Sequence, residues 1–384
     1  MKPRLLIVGM GVGGGIGRYE LLLVRTLKRL ESAGKLTFSA LWRRPHPRYL
    51  RTAPHVEDHL ATNTTSVGVF ALRVLRAAWL ARPDIVLFTH VSLARLAPLL
   101  SLTRTRPRIV VITHGIDVWT RLDWSRRAGL RAADRVVAVS GYTRGRVIDQ
   151  QGLPAQRVMA IPLCLEPSWL NGASVRRGRG REMARSESLF RLLTVSRLDV
   201  TERAKCIDWV IRALPLVAQA VPDVSYTIVG AGDDLPRLRA LASASGVADR
   251  IEFKGALEHD ELIDEYSSCD IFVLPSAKEG FGLVFLEAMA FEKPVVARAA
   301  RAASEVVAEG ETGVLIRDEP ELAPALIELL GDRDRAARMG TAGRRRLTAE
   351  FSLERFEGRM AALIEEVSAL SGPASRRVRW LGRD

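Results

Sequence analysis

The sequence predicts an α/β protein built from two Rossmann-like, doubly wound domains that face each other across a cleft. Its 384 residues exceed one average domain, which favours two. Short apolar runs alternate with helical patterns, as in parallel sheets that carry helices on both faces. Near the middle of the chain a polar, basic stretch interrupts this alternation, which then starts again.

The alternation sets the domain boundaries. Residues 1–170 are predicted as a first domain, with strands at Leu5–Val8, Leu36–Trp42, Ile85–Thr89, Ile109–Thr113, Arg135–Ser140 and Val158–Pro162. From Asn171 to Ser188 the chain is rich in Arg and Gly and cannot supply a buried strand, so 171–190 is the predicted linker. Residues 191–351 are predicted as a second domain, with strands at Leu192–Ser196, Ser225–Val229, Ile251–Phe253, Ile271–Pro275, Pro294–Ala297 and Val314–Ile316.

The chain is basic, with 57 Lys and Arg against 44 Asp and Glu and a formal net charge of +13. Such a balance suits an anionic partner: nucleic acid, anionic lipid or a phosphorylated substrate. No nucleic-acid-binding module is recognisable, so nucleic acid is not an expected partner. The three cysteines have no metal or redox spacing, and no apolar run reaches the roughly 18 residues of a membrane span. We therefore expect a cytoplasmic protein with reduced thiols.

The strongest motif follows the predicted strand Ile271–Pro275. Glu279 should lie in the turn at the carboxyl end of this strand, where Gly280 and Gly282 let the backbone approach a ligand. The helix that follows points its free N–H groups and positive dipole end at the same place. Glu287 lies one to two turns into that helix, where a carboxylate can accept hydrogen bonds from ribose hydroxyls. A solvated strand–turn–helix does not explain this placement of glycines.

A glycine loop follows the opening strand, and Gly9, Gly11 and Gly14 satisfy the pattern G-x-G-x-x-G. This pattern lets the backbone approach a pyrophosphate at a helix N-terminus. An NADP-dependent oxidoreductase is therefore an alternative function. The acidic residue that should follow the second strand is missing, because Arg43 and Arg44 stand there.

Two further sites are weaker when each stands alone. Arg197 and Lys205 flank one turn at the start of the second domain and can together neutralise a diphosphate leaving group without a metal. The alternative is a solvated charged turn. His114 ends a buried strand and can hydrogen-bond a substrate hydroxyl, although an isolated histidine is more often structural. His90 ends the preceding strand and is a second candidate.

In this order the features resemble the GT-B glycosyltransferases of family GT4, the "glycosyl transferases group 1". The resemblance covers nearly the whole chain and is densest from Leu192 to Ile316. Its most specific part is the E-x7-E element from Glu279 to Glu287, and the surrounding segments, such as Tyr226–Asp233, agree with it.

The resemblance implies roles for these positions. The expected catalytic residues are Glu279 at the donor sugar hydroxyls, His114 beside the transferred sugar, and Arg197 with Lys205 at the diphosphate. Glu287 would bind the ribose. Further donor contacts are expected from Gly230, Gly280, Phe281, Gly282 and Leu283, and acceptor or cleft contacts from Gly14, Gly15, Gly17 and Arg18.

The resemblance also implies a reaction. A hexose would move, with retention of configuration, from a UDP- or GDP-sugar to a glycan or lipid-linked acceptor in bacterial cell-surface polysaccharide or lipopolysaccharide assembly. No metal or other cofactor is expected, since catalysis in this family rests on positioning and on stabilising the leaving diphosphate. The first domain would bind the acceptor and the second the nucleotide sugar. The C-terminal segment 352–384 would pack back on the first domain.

The chain departs from the family pattern at two places. The family often has Gly-Gly or Gly-Ser in the loop where this chain has Arg298 to Arg301, so a different donor contact or loop conformation is expected there. Cys206 replaces the glycine that commonly follows the lysine. A further Asp-x-Asp at Asp332–Asp334 lies between two helical patterns and is predicted to cap a helix and not to bind a metal.

The first domain also carries a candidate membrane surface. Aromatic residues and leucines are interleaved with arginines at 42–51 and again at Val67–Arg82, which suits an anionic bilayer surface. The alternative is an ordinary helix with a solvated arginine face. Because many family members glycosylate lipid-linked acceptors, we expect peripheral contact with the inner face of the cytoplasmic membrane. The tail Arg376–Trp380 would add a second contact.

Overall fold

The computed structural model describes residues 2–44, 66–180 and 189–370. It divides the chain into two compact units, each with its own six-stranded parallel sheet. Unit 1 comprises Met1–Pro162 together with Phe356–Asp384, and unit 2 comprises Leu163–Arg355. All twelve strands predicted from the sequence are present, with bounds that differ by at most two residues.

Unit 1 has the strand order β2-β1-β3-β4-β5-β6, with every neighbouring pair parallel. The chain moves from β1 to β2 on one side and then returns to β3 on the other. The carboxyl ends of β1 and β3 therefore form a topological switch point. The strands are β1 Arg4–Gly9, β2 Thr37–Trp42, β3 Ile85–Phe88, β4 Arg108–Thr113, β5 Arg135–Ala138 and β6 Val158–Ala160, and the helices are α1 Gly14–Ser32, α2 Val67–Ala81, α3 Trp124–Ala132 and α4 Gly141–Gln151.

Helices cover the sheet of unit 1, so its strands read as continuous apolar runs. Leu5 to Val8 are all buried in β1, as are Ile85 to Phe88 in β3. The core beside them takes Phe70 and Val74 from α2. Gly129 of α3 lies against a 3-10 helix at Ala94–Leu102, where a Cβ would come within 2.2 Å of the Ala94 carbonyl oxygen.

Unit 2 repeats this plan with the order β12-β11-β10-β7-β8-β9, again with parallel neighbours. Here the chain moves outward from β7 on one side and from β10 on the other, and β7 and β10 are neighbours. The helices are α5 Pro167–Gly180, α6 Ile207–Ala220, α7 Leu235–Ala244, α8 His259–Ser268, α9 Leu283–Ala290, α10 Ala303–Val306, α11 Leu322–Gly331 and α12 Arg333–Glu350. The strands are β7 Phe190–Val195, β8 Val224–Val229, β9 Ile251–Gly255, β10 Ile271–Leu274, β11 Val295–Arg298 and β12 Gly313–Ile316.

The division of the chain into units differs from the prediction, which placed the boundary at residue 170 and a linker at 171–190. The division falls after Pro162, and much of the expected linker is helix α5. Trp169 and Ala173, one helical turn apart, are both buried, and the Trp169 ring meets the rings of His259 and Tyr266 edge-on. This short apolar stripe anchors α5 to unit 2 despite the basic residues that follow it. Residues 181–188 lie outside the described part of the chain.

The last helix, α13, spans Leu353–Ala369. From Phe356 onward it belongs to unit 1, where Phe356 packs edge-on against Tyr19 with ring centroids 6.0 Å apart. Ion pairs from Arg29 to Glu357 (2.9 Å) and from Arg135 to Glu366 flank this contact. The buried stripe that packs the helix repeats every three to four residues at Phe356, Met360, Leu363 and Val367. The predicted tail contact at Arg376–Trp380 lies outside the described residues.

No helix within the described ranges is both long and apolar enough to cross a membrane.

Replacing Phe356 by Ala tests the attachment of α13 to unit 1. The buried ring is 1% exposed, so its removal leaves a cavity and should lower the free energy of unfolding by about 3–5 kcal/mol. Urea denaturation followed by circular dichroism and tryptophan fluorescence measures this. The exposed Glu365→Ala change on the same helix is the control and should have little effect; equal effects of the two changes would contradict the packing.

Candidate functional site

The switch point of unit 2 carries the residues that the sequence singled out. Arg197 and Lys205 follow β7, whereas Glu279 to Gly282 follow β10. Because β7 and β10 are neighbouring parallel strands, both segments lie at the same edge of the sheet. In open α/β sheets this is the edge where ligands bind.

An ion pair joins the two segments. Lys205 Nζ lies 2.7 Å from Glu279 Oε2, and the two side chains are only 17% and 13% exposed. The backbone supports the pair, because the Ala277 amide donates to the Ala204 carbonyl at 2.7 Å. The site thus presents one ammonium and one carboxylate in a partly buried setting, where charges are less screened than at the open surface.

Arg197 does not take part in this pair. Its side chain is 67% exposed, forms an ion pair with Glu202, and lies 3.7 Å from Asp199. Since exposed ion pairs contribute little, a phosphate can compete for the guanidinium at small cost. The structure therefore places Arg197 at the correct edge of the sheet, but oriented toward its own loop.

Two glycines are required by the backbone of this site. Gly282 has φ 97°, and a Cβ there would lie 2.4 Å from Phe285 Cδ2 and 3.3 Å from Glu279 Cγ. Gly230, with φ 143°, has no room for a Cβ because the Ser196 carbonyl oxygen would be 1.7 Å away. Gly282 therefore allows the tight turn that carries Glu279, and Gly230 allows the loop after β8 to pack closely on the loop after β7.

The other residues of this loop that were predicted to contact the donor differ in exposure. Phe281 is buried and packs edge-on against Phe351 with centroids 5.8 Å apart, so its side chain belongs to the core. Gly280 and Leu283 are partly exposed, the latter at the first residue of α9. Backbone groups are thus what this segment has to offer a ligand.

Glu287, the residue predicted to bind the ribose, is buried in the helix that follows the loop. Its carboxylate is 1% exposed, and the Tyr266 hydroxyl donates to Oε2 at 2.7 Å. The helix turns this side chain toward α8, where the buried acid helps to join the two helices. The ribose contact of Glu287 stays a prediction. Tyr266 could not be predicted as its partner from the sequence, because only folding brings it beside Glu287.

In unit 1 the glycine loop follows β1 at the switch point with β3. The fully buried Glu20 carboxylate accepts hydrogen bonds from the Met10 amide (2.7 Å), the Gly11 amide (3.0 Å) and the Thr89 hydroxyl. Glu20 was not predicted as a site residue; the available signal was an acid among the apolar positions of α1, next to Tyr19 and close to Leu22. Two loop amides are thereby occupied by an anion. A pyrophosphate bound there, as an NADP enzyme would need, would meet a negative charge and lose these donors.

The acceptor positions lie at the start of α1. Gly13, Gly14 and Gly15 are exposed, and an added Cβ at any of them would meet no atom within 4 Å. Gly14 alone of these three has a positive φ, 74°. Gly17 is buried, and Arg18 is partly exposed one residue further along. The loop therefore leaves open space at its tip and is fixed at its base by Glu20.

His114 belongs to a cluster at the carboxyl ends of β3 and β4. Its Nε2 lies 2.7 Å from the Thr89 carbonyl oxygen, which can only accept, so Nε2 carries the proton. The His114 amide donates to Asp117, and the His90 ring stacks on that of His114 with centroids 5.9 Å apart. Burial lowers the pKa of both histidines, despite the opposing charge of Asp117. Arg126 also lowers the pKa of His90. Both rings are therefore neutral near pH 7.

Two observations bear on the other sequence expectations. In the part of the chain that the structure describes, no three His, Cys, Asp or Glu side chains gather into a group that could hold a metal ion. Asp332 caps α12 by accepting from the Arg335 amide at 2.8 Å, which confirms the capping prediction.

The two places where the sequence departs from the family pattern have left-handed backbone. Cys206 has φ 55°, and Arg301, in the loop that begins at Arg298, has φ 58°. Glycine adopts such values readily, and other residues rarely do.

Two doubly wound units with polar residues at their switch points define the GT-B class of glycosyltransferases. Residues 190–332 match the family described as "Glycosyl transferases group 1", and residues 13–169 match "Glycosyltransferase Family 4". The chain belongs to this glycosyltransferase family. The resemblance drawn from the sequence is confirmed, and the oxidoreductase alternative is wrong.

Similar proteins come from mycobacteria. A GDP-mannose-dependent alpha-(1-6)-phosphatidylinositol monomannoside mannosyltransferase of Mycobacterium tuberculosis is 34% identical over 70% of this chain and 72% of its own length. The protein described in the same words from Mycolicibacterium smegmatis is 36% identical over 66% and 68%. Among solved structures, Anabaena Alr3699/HepE in complex with UDP has a TM-score of 0.76 at 22% identity, covering 95% of this chain and 100% of that one. This last likeness confirms the predicted fold.

The neutral histidine pair makes unit 1 sensitive to acid. Folding lowers the pKa of both histidines from the ordinary histidine value of 6.5. Below pH 6.5 the unfolded chain therefore binds more protons at these two residues than the folded chain does. Stability is fully present above pH 6.5 and should fall below it by up to about 1.4 kcal/mol per histidine and pH unit. Urea titrations at pH 7.5, 6.5 and 5.5 measure the slope. A His90→Gln, His114→Gln double variant should show a shallower slope, and an unchanged slope would contradict the assignment.

Proposed function

We propose that this chain is a retaining, metal-independent hexosyltransferase that takes its sugar from a GDP-sugar and delivers it to a lipid-linked acceptor. The observation that carries the proposal is the Lys205–Glu279 pair at the switch point of unit 2, with Gly282 beside Glu279. A cation for phosphate, a carboxylate for hydroxyls and close backbone are what a nucleoside-diphosphate sugar needs.

In the proposed reaction, the donor diphosphate takes Lys205 away from Glu279 and draws Arg197 from Glu202. Glu279 is then available to accept hydrogen bonds from the sugar hydroxyls and so fixes the sugar ring. As the bond between the anomeric carbon and the phosphate oxygen breaks, the two cations stabilise the negative charge that develops on that oxygen. The acceptor hydroxyl forms the new bond on the same face, and its proton passes to the leaving phosphate.

The residues of unit 1 have the acceptor role in this proposal. The open tip at Gly13 to Gly15 leaves room for a hydroxyl-bearing substrate, and the Glu20 carboxylate holds the base of the loop. With Nε2 protonated and bound to a carbonyl, neutral His114 retains Nδ1 as an acceptor for a hydroxyl.

The relatives favour a GDP-sugar over a UDP-sugar. The mycobacterial proteins that are 34–36% identical to this chain are named as GDP-mannose-dependent mannosyltransferases. The structure in complex with UDP belongs to a protein that is only 22% identical. The same relatives act on phosphatidylinositol mannosides, so we propose a glycolipid acceptor. A place in polysaccharide or lipopolysaccharide assembly stays a prediction.

The surface of α2 supports peripheral membrane contact. Between residues 66 and 132 the sequence has eleven arginines, three aspartates and neither Lys nor Glu. Arg104 stacks over the exposed Trp79 ring at 5.9 Å, so cation and aromatic side chains share one surface. Both features suit an anionic headgroup layer. The exposed apolar side chains of α2 are Val67, Val69, Leu72, Trp79 and Leu80.

A Glu279→Gln variant tests the donor site. The neutral amide keeps the shape but loses the charge that orders the sugar, so kcat for transfer from GDP-mannose should fall about 100-fold or more. Glu311→Gln, an exposed carboxylate elsewhere in unit 2, is the matched control. Transfer is measured with a phosphatidylinositol mannoside in detergent, without added metal. Wild-type transfer by the Glu279 variant would overturn the proposed role.

A Leu72→Gln, Trp79→Gln double variant tests the membrane surface. Loss of two exposed apolar side chains should weaken binding to vesicles of phosphatidylglycerol and phosphatidylcholine by about ten-fold or more. Sedimentation of the vesicles measures the bound fraction. Leu216→Gln removes an exposed leucine from unit 2 and should not change binding. Equal binding of the wild type and the α2 variant would contradict this contact.

A further inference from the structure

Arg301 occupies an unusual backbone conformation beside the candidate donor site. It lies in the loop after β11, with φ 58°, a left-handed value that glycine adopts readily and arginine rarely does. A side chain kept at a strained position points to a role for that side chain. The carboxyl end of β11 adjoins that of β10, which leads to Glu279.

The Arg301 side chain reaches the loop that carries Glu279. Its Nε–H donates to the Ala277 carbonyl at 2.7 Å, two residues before the glutamate. The amide of the same alanine donates to the Ala204 carbonyl, also at 2.7 Å. Ala204 precedes Lys205, whose ammonium is paired with Glu279.

One residue, Ala277, therefore connects the loops that follow three adjacent strands, β7, β10 and β11. Its amide holds the loop of Lys205 and its carbonyl is held by Arg301. Lys278 adds to the turn by donating its amide to the Ser276 hydroxyl at 3.3 Å. Without the Arg301 bond, the Ala277 carbonyl loses its charged donor. The turn that leads to Glu279 then loses this link to the loop after β11 and keeps its bond to the loop after β7.

We propose that Arg301 is a positioning residue that acts through the Ala277 peptide to hold the Glu279 carboxylate in place. It need not touch the substrate, because a displacement of about 1 Å at a reacting group is enough to lower a rate strongly. The effect on turnover rests on the function proposed above, whereas the effect on the loop does not.

Two variants test this proposal. Arg301→Gly removes the side chain and relieves the left-handed strain, and Arg301→Met keeps a long side chain at the left-handed position but removes every N–H donor. Arg106→Gly is the control, because Arg106 also has a positive φ (43°), is exposed, and lies in unit 1. Three quantities are measured for each protein: kcat for transfer, Kd for GDP by calorimetry, and amide hydrogen exchange of a peptide that covers residues 276–282.

Both Arg301 variants should keep the wild-type Tm and the wild-type Kd for GDP, while kcat falls about ten-fold and exchange of 276–282 becomes at least ten-fold faster. Arg106→Gly should change none of these. A loss of GDP affinity as large as the loss of kcat would show a direct ligand contact and overturn the proposal. So would wild-type exchange in Arg301→Gly, or wild-type kcat in Arg301→Met. If the wild type transfers no sugar while exchange still quickens in the variants, the proposed function fails and the positioning role stands.

Discussion

The ion pair between Lys205 and Glu279 depends on two loops that leave neighbouring strands and are held against each other at the edge of the unit 2 sheet. β7 and β10 run side by side, although 74 residues separate the two paired side chains. The Ala277 amide joins the two loops by donating to the Ala204 carbonyl at 2.7 Å. Glycine is needed at Gly282 within the β10 loop and at Gly230 after β8, where a Cβ would collide with Phe285 or with the Ser196 carbonyl. The topology thus brings the two charges together, and the glycines allow the close backbone packing of the loops at this edge of the sheet.

In unit 1 a buried carboxylate, and not an ion pair, joins the segments at the switch point. Its switch point brings together the segments that follow β1 and β3, and the buried Glu20 carboxylate binds both. A buried anion is costly unless it is well hydrogen-bonded, and here three donors satisfy it. The glycine pattern alone suggested a pyrophosphate site, but the carboxylate beneath the loop already occupies the Met10 and Gly11 amides that a pyrophosphate would use.

Much of the fold could be predicted from the sequence because buried parallel strands read as plain apolar runs. The segment Glu279–Gly282 could also be singled out from the sequence. Glycines next to a carboxylate at the end of a buried strand are seldom needed for the fold alone, so they point to a candidate site. Tyr266 could not be found in this way, because only folding brings it beside Glu287. Glu20 gave a signal as an acid among apolar positions, but the pattern does not show which groups its carboxylate binds. Helix α5 was missed because two buried residues, Trp169 and Ala173, outweigh a basic continuation. Glu287 was expected to face a ligand, but helix geometry turns it toward Tyr266.

The central claim is that a nucleoside diphosphate binds beside Lys205 in unit 2 and not at the glycine loop of unit 1. Calorimetric titration of GDP and of NADP into the wild type and a Lys205→Ala variant, in buffer with chelator, tests it most directly. The account predicts that GDP binds the wild type, that the variant loses about ten-fold or more in affinity, and that NADP binds neither. NADP binding that does not change in the variant, or GDP binding insensitive to Lys205, would contradict it.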